Sequence, residues 1–348
     1  MERRKSKEIK IGSVKIGADH PIAVQSMTFT KTANADATVK QILSLERAGC
    51  DIVRFSVPDE ESAKSISYIK EHTHIPLVAD IHFNYKLALA ALERGIDKIR
   101  INPGNIGSPE RIKAVADACR MRGVPIRIGV NGGSLEKHIL AKYGSPTPEA
   151  LCESALYHVR LLEQFDFTDT VVSIKSSDVA DTVRANRLFA EKTDYPLHLG
   201  VTEAGTERMG IIKSSAGIGS LLLDGIGDTI RVSLTDEVEK EVAAARDLLK
   251  ALGLRGGVNI VSCPTCARTN IDVIGLATRL HALLDDCEKS IKVAVMGCAV
   301  NGPGEAKDAD IGIAGGMGEA LLIKHGEIVG KIPEDRVIET LMAEIEKL

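Results

Sequence analysis

The sequence predicts an α/β protein: an N-terminal (β/α)8 TIM barrel followed by a smaller α/β domain. Two observations carry that reading. From Ile22 to Leu252, short β-type runs alternate with amphipathic helical stretches in eight consecutive units, the number that closes a barrel. The chain has no Trp and only 3% aromatic residues, so its core must rest on Val, Ile, Leu and Ala, the composition of parallel strands covered on both faces. A doubly wound open sheet is the competing arrangement, and eight regular units favour closure.

The elements follow in order. A hairpin-like stretch spans Ile9 to Ile16. Strand-like runs then occur at Ile22–Ser26, Asp51–Val57, Leu77–His82, Lys98–Asn102, Pro125–Asn131, Thr170–Lys175, Pro196–Thr202 and Thr229–Leu234. Helical patterns separate them, among them Thr38–Ala48, Glu60–His72, Pro109–Arg122 and Asp236–Leu252. The run Lys213–Ser220 is Gly- and Ser-rich and precedes or opens a helix, so its amides are a weak candidate for phosphate binding. The barrel is expected to occupy residues 1–252, with a Gly-rich connector at Gly253–Gly257. In the second domain, 253–348, strands are expected near Val258–Ser262, Lys292–Met296, Asp310–Ala314 and Ala320–Lys331. Helices are expected at Asn270–Asp286 and Glu334–Lys347.

Alternate residues of a strand face opposite ways. One face of the barrel strands is apolar. The other carries Arg54 and Ser56, Asp80 and His82, Arg100 and Asn102, then Arg127 and Asn131. It continues with Ser173 and Lys175, His198 and Thr202, and Arg231 and Ser233. Most of these positions lie towards the C-terminal ends of their strands, where barrel enzymes place their chemistry. Several cations pointed into one mouth need an anion. Asp80, Glu203 and other carboxylates could neutralise them as a structural network. A small polyanion such as a diphosphate is the sharper reading, because Arg offers a fork to phosphate oxygens and Lys175 a point charge. Asn102, Asn131 and Ser233 would add neutral donors. His82 and His198 suit either a structural or a chemical role. Glu203 ends a strand beside a Gly-containing turn, as an acid/base group or a partner for Arg231.

Net charge is −4, so no nucleic-acid or membrane footprint is expected. No long apolar run follows the basic start, so neither a signal peptide nor a membrane helix is expected. Seven cysteines is an odd number that suits a reducing cytoplasm better than a set of disulfides. Cys50, Cys119 and Cys152 fall in helical patterns and read as small core residues. Cys287 has no companion motif. Cys263, Cys266 and Cys298 share a Gly/Pro setting. Three thiols from two turns suit an iron–sulfur cluster with one differently held iron, whereas zinc usually takes four protein ligands or three plus water. Glu305, seven residues after Cys298, could fold back onto the centre or be a solvated loop carboxylate.

Cys263-Pro-Thr-Cys-Ala-Arg-Thr269 and Met296-Gly-Cys-Ala-Val-Asn-Gly-Pro-Gly-Glu305 resemble the cluster motifs of the 4-hydroxy-3-methylbut-2-enyl diphosphate synthase family of the non-mevalonate isoprenoid pathway. The resemblance extends through Val24-Gln-Ser-Met-Thr28, Asp80-Ile-His-Phe83, Arg100-Ile-Asn-Pro-Gly104 and Arg127-Ile-Gly-Val-Asn131. It continues through Gly200-Val-Thr-Glu-Ala-Gly205 and Gly225-Ile-Gly-Asp-Thr-Ile-Arg-Val-Ser-Leu234, and so covers nearly the whole chain. It implies a barrel plus a [4Fe-4S] domain similar to those of sulfite and nitrite reductases. Cys263, Cys266, Cys298 and Glu305 would hold the cluster. The substrate would be 2-C-methyl-D-erythritol 2,4-cyclodiphosphate, opened and dehydroxylated with two electrons from flavodoxin or ferredoxin. Arg54, Arg100, Asn102, Arg127, Asn131, Lys175, Arg231 and Ser233 would bind it, with Glu203 as candidate proton donor, His82 a weaker one, and Glu305 releasing its iron to substrate.

The last barrel helix, about 25 Å long at ~1.5 Å per residue, leads away from the mouth. A short connector then makes it hard for the second domain to cap its own barrel. A head-to-tail homodimer with composite sites is expected, and the resemblance points the same way. Two other classes fit parts of the sequence: a cluster-dependent dehydratase without net electron transfer, and a redox or iron sensor for which the cationic mouth has no task.

Overall fold

The structure is a computed structural model that describes residues 2–285 and 287–348, without the side chain of Pro103. It divides into two compact units, Met1–Leu252 and Gly253–Leu348. Among the described residues, no helix is long and apolar enough to cross a membrane.

The first unit opens with a hairpin, β1 (Ile9–Ile11) against β2 (Val14–Ile16). Eight parallel strands follow: β3 (Ala23–Met27), β4 (Ile52–Ser56), β5 (Leu77–Asp80), β6 (Lys98–Ile101), β7 (Ile126–Asn131), β8 (Thr170–Lys175), β9 (His198–Leu199) and β10 (Thr229–Ile230). Their order is β8-β7-β6-β5-β4-β3-β10-β9, and a parallel bridge from Val172 to Leu197 joins β8 to the approach of β9. That bridge closes the ring, so the expected barrel is what forms. The last two strands are much shorter than the runs Pro196–Thr202 and Thr229–Leu234 suggest, because the chain peels off the ladder to build the mouth.

Why the hairpin exists is visible in its contacts. Ile9, Ile11 and Ile16 are buried against Ala23, Ile52, Val78 and Val171, the inward residues at the starts of four strands. The hairpin plugs the bottom of the barrel and keeps water from that end. The helices between strands start on side-chain caps. Asn34, Asp59 and Asp178 accept from the first-turn amides of Ala37, Ser62 and Asp181. The run Lys213–Ser220 lies inside the helix Glu207–Leu223, so its amides are spent on helix bonds and it forms no phosphate loop. Gly217 is there for packing: a Cβ would sit 2.7 Å from Val201.

The second unit is one five-stranded sheet, β11 (Asn259–Ser262), β12 (Lys292–Met296), β13 (Ile311–Gly315), β14 (Glu319–Lys324) and β15 (Glu327–Pro333), in sequential order. The first three strands are parallel and the last two antiparallel. The helices Val273–Leu284 and Val337–Lys347 bury Leu276, Leu280, Leu341 and Ile345 against Val293, Val295, Ile311 and Ile313. The first helix was expected over Asn270–Asp286; Asp286 lies outside the described residues. The opposite face is paved by Ala294, Ala306, Ala309 and Ala314, small residues that let loops lie close to the sheet. A likeness of this unit to sulfite and nitrite reductase domains rests on the sequence resemblance alone.

Candidate active site

The strand registers fix which side chains enter the barrel. Arg54 pairs with Val78, Asp80 with Arg100, Arg100 with Arg127, Gly129 with Ser173, and Asn131 with Lys175, so all of these share the inner face. At the C-terminal ends they enclose a cavity of about 140 Å³, lined by Arg54, Arg100, Arg127, Asn131, Lys175, Arg231 and Ser233. Ser173 and Thr202 also reach it, and Gly129 gives it backbone. A groove of about 550 Å³ over the outer helices is larger, but its Lys142 and Tyr143 are already engaged by Glu153.

Two of the glycines set the shape of this cavity. A Cβ at Gly129 would lie 2.7 Å from Nε and Nη2 of Arg100. One at Gly200 would lie 2.4 Å from Nζ of Lys175. Gly129 occupies an inward position of β7 and Gly200 directly follows β9, and the missing side chains make room for a guanidinium and an ammonium.

The cations are unequally compensated. Asp80, 3% exposed, accepts from Arg100 Nη1 at 2.9 Å and lies 3.6 Å from Arg54 Nε. Burial alone would raise the Asp80 carboxyl; Arg54, Arg100 and Arg127 outweigh it and hold it below the usual range. Arg231 is gripped by Glu241, which takes Nε at 3.1 Å and Nη2 at 3.2 Å and also accepts from Ser26 Oγ and the Leu234 amide. Glu241 comes from the helix Val238–Ala251, where it reads as an ordinary polar position; its 3% exposure is the signal that sequence lacked. Glu203 is therefore not the partner of Arg231. Among the described residues, no carboxylate pairs with Arg127 or Lys175. Nε and Nη1 of Arg127 are buried with no hydrogen-bond partner. Unpaired buried donors of this kind cost a few kcal/mol unless something accepts from them. Burial, followed by Arg54 and Arg100, pushes Arg127 well below the ordinary value, yet the delocalised guanidinium keeps its charge. Arg54 is pushed down to about 10 by burial and remains a cation at neutral pH.

The remaining expected residues fall elsewhere. Asn102 is buried but does not line the cavity; its side chain accepts from the Gly104 amide and caps the short helix Pro103–Ile106. Glu203 is exposed with φ +53°, and lines a second cavity of about 640 Å³ with Asn131, Ser176, Asp178 and Thr202. Because Asn131 and Thr202 belong to both cavities, Glu203 stands at the rim of the cationic one. His82 is exposed beyond the end of β5. His198 is fully buried, its Nδ1 2.7 Å from Thr229 Oγ1, and burial and then Arg127 keep it neutral, a structural histidine. Lys98, which sequence parity places two residues below Arg100, is also fully buried and its Nζ has no partner.

In the second unit, topology brings the cysteine loops together. Cys263 follows β11 and Cys298 follows β12, and these strands are parallel neighbours with Ser262 in register with Val295. Cys263 Sγ accepts from the Gly297 amide at 3.1 Å. The loop carrying Cys266 folds onto Gly297 through Thr269 and the Asn270 amide, and a Cβ at Gly297 would strike Thr269. Glu305 ends the short helix Gly302–Glu305 and is exposed. As they stand, no group of three or more Cys, His, Asp or Glu among the described residues is arranged to hold a metal ion. The chemistry of the donors does fit one. Backbone hydrogen bonds, from Arg268 to Cys266 and from Asn301 to Cys298, lower both thiols and favour the thiolate, the form that ligates metal. Cys50, Cys119 and Cys152 behave oppositely. They are buried in the first unit, and burial pushes Cys50 up to about 12 and Cys152 to about 11.

The GcpE TIM-barrel domain matches residues 6–246, and the GcpE protein C-terminal domain matches residues 259–347. The chain belongs to the GcpE family. A GcpE-family relative from Caldicellulosiruptor saccharolyticus, a 4-hydroxy-3-methylbut-2-en-1-yl diphosphate synthase (flavodoxin), is 58% identical over 343 residues, covering 99% of each chain. The enzyme of the same description from Caldanaerobacter subterraneus is 58% identical over 347 residues, covering 99% of this chain and 98% of the relative. Among solved structures, dihydropteroate synthase from Xanthomonas albilineans aligns with a TM-score of 0.52 at 17% identity, covering 71% of this chain and 98% of its own. At that identity it shows the fold alone.

Proposed function

We infer that this chain is the oxidoreductase that converts 2-C-methyl-D-erythritol 2,4-cyclodiphosphate to 4-hydroxy-3-methylbut-2-enyl diphosphate. The full-length relatives are named for synthesis of that product with flavodoxin. The observation that supports it in this molecule is the cavity in which Arg127 and Lys175 pair with no carboxylate among the described residues while Arg54, Arg100 and Arg231 stand beside them. A cyclic diphosphate is a compact dianion of suitable charge for that set. Flavodoxin is the electron donor that the relatives' name implies, with ferredoxin as the alternative, in a reducing cytoplasm.

The residues explain how the ring is opened. The cyclic diphosphate carries two negative charges; when its carbon–oxygen bond breaks, the freed bridging oxygen adds a third. Arg127, Lys175 and the forked arginines face that developing charge, so they hold the open diphosphate more strongly than the ring, which lowers the barrier. Asn131 and Ser233 add neutral donors to the same cavity. The low exposure of Arg54, Arg100 and Arg231 strengthens each of these contacts. Glu203, at the rim, would pass a proton to the hydroxyl that leaves as water; His82 is the weaker candidate. A [4Fe-4S] cluster held by Cys263, Cys266, Cys298 and Glu305 would supply the two electrons and a Lewis-acidic iron.

The helix Val238–Ala251 starts at the mouth end of the barrel and runs away from it, and only a short connector follows. Head-to-tail pairing of two chains would let each second unit serve the partner's barrel. Mixing a Cys298→Ser chain with an Arg127→Met chain restores activity if the sites are composite; failure in demonstrated mixed dimers refutes the pairing. The function itself is tested by anaerobic purification with iron and sulfide analysis, then assay of the cyclic diphosphate with reduced flavodoxin. Four irons per chain and reductant-dependent product are expected. A clustered protein that leaves the cyclic diphosphate untouched would refute the reading.

A further inference from the structure

The mouth of the barrel holds more positive charge than its own carboxylates offset, and one member of the set can shed its charge. Arg54 and Arg100 share Asp80, and Arg231 lies on Glu241. Among the described residues, the surroundings of Lys175 bring it no free carboxylate. On β7 it is in register with the neutral Asn131, and Arg127 lies further down the same strand. On the β9 side the backbone of Gly200 closes against its ammonium. Arg231, just after β10, and Arg54 on β4 act on it across the barrel, as does the carboxylate of Glu241, which Arg231 already holds. Deeper in the barrel stand Lys98 on β6 and the neutral His198, both fully buried. Asp178 and Glu203 line the neighbouring cavity instead. A guanidinium keeps its proton in such crowding, whereas an amine releases it. Burial first, and then Arg127, Arg231 and Arg54, hold Lys175 well below the ordinary lysine value.

We propose that Lys175 is a neutral amine in the empty mouth and takes up a proton from solvent when the cyclic diphosphate enters, so that substrate capture is a proton-coupled step. The proposal rests on the reading of the mouth as the cyclic-diphosphate site. The step is a single protonation. The Nζ lone pair forms an N–H bond with a proton delivered by water, and the ammonium pairs with a phosphate oxygen. Each phosphorus of the ring bears one strongly acidic hydroxyl, so the ligand remains a dianion around neutral pH and contributes no proton of its own. Lys175 thus adds full charge only where it is matched, and the vacant barrel is spared one unpaired cation.

The test is titration calorimetry of the full chain with the cyclic diphosphate, without reductant so that no turnover occurs. It is run at near-neutral pH in Tris and in PIPES, whose ionisation heats differ, and the dissociation constant is followed from about pH 6.5 to about pH 9. Uptake approaching one proton per ligand is expected. Affinity falls as pH rises, by up to about tenfold per pH unit. Lys175→Arg, permanently charged, removes both the uptake and this pH dependence; Lys175→Met removes the uptake and weakens binding. Tight binding by the wild type with the same heat in both buffers and a flat pH profile overturns the proposal. So does unchanged uptake in either variant, which would assign the proton to Lys98 or His198. Lys175→Met, which adds no bulk, decides the assignment even if Lys175→Arg is too large for the space beside Gly200. Absence of any binding overturns the diphosphate reading as well, an outcome distinct from proton-independent binding.

Discussion

Replacing Glu241 with Gln probes the hidden support of the cationic mouth. The substitution keeps shape and removes one charge. Oε1 now accepts from Arg231 Nη2 and the Leu234 amide, and a Gln carbonyl in that place keeps both bonds. Oε2 accepts from Arg231 Nε at 3.1 Å and Ser26 Oγ at 3.0 Å, and an amide NH2 there would face the Nε–H donor. Unit charges about 4 Å apart at an effective dielectric near 20 attract by about 4 kcal/mol. The retained bonds and the 15% exposure of Arg231 offset part of that, leaving a loss of about 2–3 kcal/mol. For a unit of this size the melting temperature should fall by roughly 5–10 °C. Released from its carboxylate, Arg231 also adds positive potential to the cavity, so diphosphate affinity should rise while stability falls. Thermal unfolding and ligand titration read the two effects separately. A variant that melts with the wild type, with unchanged affinity, would refute the idea that Glu241 alone balances Arg231.

Other outcomes follow from the same geometry. Gly129→Ala places a methyl group 2.7 Å from Arg100 Nε and Nη2, so KM should rise about tenfold with little loss of stability, measured by steady-state assay beside thermal unfolding. Glu136 lies 2.5 Å from His158 Nε2; burial would raise its carboxyl, but that hydrogen bond and the smaller favourable contacts beside it together outweigh burial and bring it to about 2. The unfolded chain then binds the proton first, so stability present above pH 4.5 is lost as pH falls from 4.5 towards about 2, and Glu136→Gln should flatten that loss in denaturant titrations. Glu305→Ala should impair turnover and alter the spectrum of one iron; full turnover with an intact cluster would remove Glu305 from the ligand set. Cys298→Ser should lower iron content, whereas Cys152→Ser, in the first unit, should leave it unchanged.

Seven inward positions, Arg54, Arg100, Arg127, Asn131, Lys175, Arg231 and Ser233, were legible in the sequence because strand parity is strict: a residue two places from an inward one is inward too. The eight-unit alternation and the paired motifs around Cys263 and Cys298 were legible for the same kind of reason. Each is a local regularity of backbone geometry. Asn102 obeyed the pattern yet left the cavity, because β6 ends at Ile101 and the next residue is drawn into a helix cap. Glu241, Gly129 and Gly200 carry no local mark; what a helix carboxylate grips, or what space a missing side chain leaves, depends on chain segments that meet only in the fold.

Sequence by itself determined the alternation that closes the barrel, the inward row of cations, and the family to which the chain belongs. Only the tertiary structure decided how those cations are compensated: Arg54 and Arg100 by Asp80, Arg231 by Glu241, Arg127 and Lys175 by none among the described residues. The physical reason is that parity orients a side chain, whereas charge balance in a buried site depends on distances between strands and helices far apart in the chain.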